Sequence, residues 1–195
     1  MANYYIADLH LGHENVIRLD NRPFGTIEGM EREIIHRWNN RITPQDTVYI
    51  IGDFCWKSSN FWIPILQTLN GQKVLIRGDH DPERIDGKLR KLFDDVKDYK
   101  EIIDNGRRVC LCHYPIMSYN HSHSPNSYML CGHVHNTSEN DWLEQWRSEL
   151  RQQRELSGVR NCGQIINVGC MMPYMDYTPR TLDEMIRSIG WRIEK

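Results

Sequence analysis

The chain has no apolar run near the roughly 18 residues needed to cross a membrane, so no spanning segment is expected. Its first residues, MANYYIADLHLGHE, carry neither a basic stretch nor a long apolar core, so no signal peptide is expected either. An excess of charge is also missing. The net charge of −2 leaves no overall basic footprint for gripping a nucleic-acid backbone, although a local basic patch stays open. The six cysteines (Cys55, Cys110, Cys112, Cys131, Cys162 and Cys170) form no CxxC pair and no disulfide-framework spacing. They read as buried thiols in a reducing compartment, and a cytoplasmic location is the expectation. Internal repeats, low-complexity tracts and linkers are absent from the sequence. At 195 residues the chain suits one domain spanning 1–195 and is short for two.

Hydrophobic residues make up 39% and charged residues 26%, with six tryptophans, which is the balance of a folded globular protein. Short apolar runs rich in Val, Ile and Tyr recur, each ending in a polar cluster: NYYIADLH, DTVYIIGD, KVLIRGDHD, RRVCLCH, SYMLCGHVH and QIINVGC. They predict buried strands. EGMEREIIHRWNNRI predicts a helix with Met30, Ile34, Ile35, Trp38 and Ile42 on one face, and GKLRKLFDDV and TLDEMIRSIG predict shorter ones. YKEIIDNGRRVCLC predicts a hairpin turning at DNG. The alternation of strands and helices favours a layered α/β fold. A helical insertion is expected around 138–157, where Trp142, Trp146 and Leu150 recur every four residues. That stripe packs on the body of the domain or serves as a lid or subunit contact.

The nine histidines are not scattered. Five strand candidates end in side chains that bind metals: Asp8 and His10, Asp53, Asp79 with His80, His113, then His133 and His135. Ligands collect beyond the carboxyl ends of strands in open α/β sheets. Asp8/His10 and His133/His135 are spaced two apart, which in an extended chain would aim both side chains to one side. Imidazole mixed with carboxylate suits Mn, Fe, Zn or Ni better than calcium. A lone strand-end Asp is commonly a turn residue, a lone His a core residue, and a GD pair a turn. Their conjunction in order carries the weight.

In order, DLH, GDF, GDHD, CHYP and GHVH resemble the motif series of the calcineurin-like metallophosphoesterases, with INVGC extending the likeness. The small bacterial and phage members are the nearest in spacing. The resemblance implies a four-layer α-β-β-α sandwich of two mixed sheets flanked by helices. It also implies two divalent metal ions, manganese first and iron, zinc or nickel as alternatives. Asp8, His10 and His135 would hold one ion, and Asp79, His113 and His133 the other, with Asp53 bridging. His80 would stay off the metals as general acid, with Asp81 orienting its ring, while a metal-bridging hydroxide attacks a phosphate mono- or diester. Cys110 and Cys112 read as core packing.

One position departs from the family pattern, which has Asn where this chain has Asp79. Two divalent cations, three carboxylates and a hydroxide sum to zero, whereas an amide would leave one positive charge. Asp79 should therefore lower turnover and tighten the second metal. Arg18 and Arg22 are candidates for clamping a substrate phosphate, or else surface or ion-paired arginines. His121 and His123 line an entrance or sit in a solvated loop. The expected partner is a small phosphate ester or nucleotide. The alternatives are a nuclease and a non-catalytic metal-binding scaffold on the same fold, as in the retromer subunit that resembles this family.

Overall fold

The computed structural model describes residues 1–85, 87–157 and 163–190. Two four-stranded sheets form its centre. The first holds β1 (Asn3–Ile6), β2 (Thr47–Ile51), β3 (Gln72–Ile76) and β4 (Asp95–Lys97), in that order and parallel throughout. The second holds β5 (Tyr99–Asp104), β6 (Arg107–Cys112), β7 (Ser127–Cys131) and β8 (Ile165–Asn167). It is the mixed sheet, with β5 antiparallel to β6 and the remaining pairs parallel. The expected layered α/β sandwich is what the chain adopts, with the difference that one sheet rather than both is mixed.

Parallel neighbours need long crossovers. The helices α1 (Val16–Leu19) and α2 (Ile27–Arg41) lie between β1 and β2, α3 (Ser59–Thr68) between β2 and β3, and α4 (Gly87–Arg90) between β3 and β4. In the second sheet α5 (Ser138–Ser157) joins β7 to β8, so the segment expected as an insertion is itself a crossover. Among the described residues, the antiparallel pair β5–β6 is the expected hairpin. Asn105 (φ 49°) and Gly106 (φ 80°) are both left-handed, as a two-residue primed turn between twisted strands requires. Thr26 caps α2 by accepting from the Gly29 amide, and Thr181 with Glu184 forms a capping box on α6 (Leu182–Ser188).

Strand alternation distributes the second sheet between two cores. Val109, Leu111, Tyr128, Leu130 and Ile166 join the main core, together with Met30, Ile34 and Trp38 of α2 and Trp62 and Leu66 of α3. Cys110, Cys112, Met129, Cys131 and Ile165 belong to a smaller core with Leu143, against which Trp146 packs. The packed face of α5 therefore differs from the expected stripe. Asn140, Leu143 and Arg147 are buried, whereas Trp142 is 66% exposed. The five described cysteines are free and buried, as expected; Cys162 lies outside the described residues. Among the described residues no helix is long and apolar enough to cross a membrane.

Candidate metal centre

The loops after β1, β2, β3, β6 and β7 supply every candidate ligand. Five of these residues adopt left-handed backbone: Asp8 (φ 56°), His10 (49°), Asp53 (52°), His133 (70°) and His135 (46°). Such a conformation costs a non-glycine residue about 1–3 kcal/mol and persists only where the surroundings impose it. It also corrects the expectation for the i, i+2 pairs. Neither pair lies on extended strand, since β1 ends at Ile6 and β7 at Cys131. The side chains converge through tight loops instead. Glycines make room for them: a Cβ on Gly52 would lie 2.2 Å from His113 Nδ1, and one on Gly78 2.2 Å from Asp53 Oδ1.

Two donor groups result. Asp8, His10, Asp53 and His135 bring ligand atoms within 4.8 Å of one another, as do Asp79, His113 and His133. His133 and His135 thus serve different groups. His10 Nε2 is 3.1 Å from His135 Nε2 and 3.4 Å from Asp53 Oδ2. Asp79 Oδ1 is 3.0 Å from both His113 Nε2 and His133 Nδ1. Asp53 Oδ2 stands between the groups, 3.6 Å from His113 Nε2. Asp53 also forms a third donor set with Asp79 and His80.

These residues fit a pair of divalent ions. Asp8 Oδ2 is buried with no hydrogen-bond partner, a state that costs free energy unless something else satisfies the site. Burial first, and then the charge of His135, push the His10 pKa down to about 2, so its ring is neutral and able to bind metal. Burial holds the Asp8 carboxyl above its ordinary range. His113 shows the opposite balance: burial would lower its pKa, but Asp8, Asp53 and the Ile51 carbonyl at 2.9 Å outweigh it. The mixed nitrogen and oxygen donor set suits a borderline transition-metal ion.

Two sequence expectations need correction. Asp81 does not touch the His80 ring; its buried carboxylate accepts from the backbone amides of Asp53 (3.0 Å), Phe54 (3.0 Å) and Gly78 (2.9 Å). It ties the two GD loops together, and burial pushes its pKa up to about 7 against the pull of those amides. The His80 ring packs on Trp56 instead, with centroids 4.4 Å apart. Arg22 is no phosphate clamp. It is buried, pairing with Asp20 and donating to the Asp8 and Leu9 carbonyls at 2.9 Å. Arg18 is exposed on α1. His121 and His123 form their own ring contact at 5.8 Å.

Three residues near the site went unread in the sequence. Asp20 Oδ1 lies 2.7 Å from His135 Nδ1. Trp56 carries His13 stacked at 4.2 Å as well as His80. Tyr114 makes T-shaped ring contacts with His113 at 5.2 Å and His133 at 4.7 Å. For Trp56 and Tyr114 a signal existed, since Trp56 lies two residues past GDF and Tyr114 stands inside CHYP.

No family model matches the chain. It is similar to the gene 66 protein of Mycobacterium phage L5, at 25% identity over 75% of this chain and 88% of that one. Among solved structures, the protein of unknown function AQ665 from Aquifex aeolicus overlays with a TM-score of 0.61 at 26% identity, covering 95% of this chain and 98% of the other. The uncharacterized protein MJ1445 of Methanocaldococcus jannaschii is 34% identical over 134 residues, 68% of each chain. On that identity and coverage, the chain belongs to the same family as MJ1445.

Proposed function

We propose that the protein is a hydrolase of phosphate esters that works with two divalent metal ions, manganese first among them. The observation that carries this reading is the pair of donor groups meeting at Asp53. When bound, two such ions would supply an activated water and neutralise phosphate oxygens. Asp8, His10 and His135 would hold one ion, Asp79, His113 and His133 the other, and Asp53 both. The substrate would enter from the side of Asp79, His133 and His80, whose side chains are 35%, 36% and 38% exposed. His80 would donate a proton from its ring to the departing oxygen. Its backbone amide is fixed on Asp53 Oδ1 at 3.0 Å, and its Nε2 lies 3.4 Å from Asp79 Oδ2.

Asp79 in place of an amide adds a negative charge where a phosphate would arrive, so it favours cation binding over turnover. An imidazole that is accessible beside both donor groups supports a hydrolase over a scaffold that only holds metal. A small phosphodiester, phosphomonoester or nucleotide suits the absence of an overall basic face. The test is manganese-dependent release of p-nitrophenol from its phosphate mono- and diesters. His80→Ala should lose roughly 10²–10⁴ in rate while binding the same manganese. A fully loaded protein that cleaves neither class would overturn the reading.

A further inference from the structure

His135 has two ring nitrogens, and their surroundings differ. Nε2 points into the first donor group, 3.1 Å from His10 Nε2 and 4.0 Å from Asp8 Oδ1. Nδ1 points away from it, at 2.7 Å from Asp20 Oδ1. An ionised carboxylate only accepts hydrogen bonds, so the proton of a neutral His135 ring sits on Nδ1 and the lone pair on Nε2 faces the group. Asp20 is itself fixed. Arg22 donates to Asp20 Oδ2 through Nε at 2.9 Å and Nη2 at 2.7 Å, and both side chains are almost wholly buried. The same guanidinium reaches the carbonyls of Asp8 and Leu9, so one buried unit joins the loop after β1 to the ring of His135.

His113 and His10 are held differently, the nearest carboxylate oxygen to His113 Nδ1 being Asp8 Oδ1 at 3.8 Å. His113 Nδ1 faces a neutral carbonyl, that of Ile51, and His10 Nδ1 is buried without a partner. The contrast sets His135 apart from both. We infer that Asp20, held by Arg22, is a positioning residue that sets the tautomer and orientation of His135 and thereby the metal affinity of the first group. The inference rests on the metal-site reading above. A carboxylate behind a ligating histidine raises the basicity of the ring and fixes its aim, and losing it weakens metal binding by about 10–100-fold.

The experiment is calorimetric titration of the chelator-treated full chain with Mn²⁺, for the natural sequence, Asp20→Asn and Asp20→Glu. The expected result is two binding events in the natural protein. Asp20→Asn should weaken one of them by about 10–100-fold and leave the other in place, with partial recovery in Asp20→Glu. Asp20→Asn binding both ions as the natural protein does would overturn the inference alone; a natural protein that binds no Mn²⁺ would overturn the metal reading with it. Equal weakening of both events would mark general damage to the fold and likewise overturn it. A second measurement does not depend on the variants folding. In nitrogen-15 spectra of the Zn²⁺-loaded natural protein, the His135 ring proton should sit on Nδ1, and finding it on Nε2 would contradict the assignment.

Discussion

The two donor groups are built differently. In the first, Asp8, His10 and Asp53 are buried, and Asp20 and Arg22 support His135 from behind. In the second, only His113 is buried, while Asp79 and His133 are about a third exposed. A dry, backed site keeps its geometry without a ligand, whereas an open one must exchange water for substrate. The first group therefore reads as the anchoring site and the second as the working face. On the proposed reading Asp53 is the residue that the two groups would share.

Breaking that joint should have the largest effect. Asp53→Asn removes the charge shared by both groups, and phosphoesterase activity should fall by at least roughly 10²–10³-fold. Metal analysis should show both ions weakened, and losing only one would show that the groups are independent. The pH dependence of loading tests both groups, each through one histidine. Burial lowers the pKa of His135, but the hydrogen bond to Asp20 and the charge of Asp8 raise it overall; His113 is raised by Asp8 and Asp53. A raised pKa means that a proton competes for the ring at a higher pH than on a free histidine. Manganese affinity should therefore fall as pH drops through and just above the ordinary imidazole range, by up to about tenfold per displaced proton for each pH unit. His10, held near 2, contributes nothing to that slope.

Asp81→Asn tests the strut between the GD loops. Any orientation of an amide sets an NH₂ against at least one of the three backbone N–H donors now satisfied by the carboxylate. A loss of about 1–3 kcal/mol in thermal or denaturant unfolding is expected; unchanged stability would mean that the strut is not needed. The smallest change should come from Asp79→Asn, which keeps the size of the side chain and removes its charge. Turnover should rise and the second manganese should bind less tightly. An equal or lower rate in the Asn form would contradict the charge argument.

Three of the candidate ligands were legible in the sequence because Asp53, Asp79 and His133 each directly follow a glycine, giving the GD and GH pairs a local pattern. The reason for the ligands' convergence was not legible, because Asp and His only mildly favour left-handed backbone and residue type alone does not specify it at Asp8 or His135. Asp20 was unreadable for a related cause: its partner His135 is 115 positions away, and one Asp in a loop has no local pattern. The α5 face was misread because its buried side includes Asn140 and Arg147, so apolar spacing points to Trp142 instead. Asn140 is buried because Asn167 donates to it at 3.0 Å, a contact fixed only once β8 is in place.

Diffraction from crystals loaded with manganese, using its anomalous signal to locate the ions, tests the central claim most directly. Two peaks about 3.5–4 Å apart are expected, on either side of Asp53, one among Asp8, His10 and His135 and the other among Asp79, His113 and His133. A single peak, or peaks bound away from Asp53, would contradict the account.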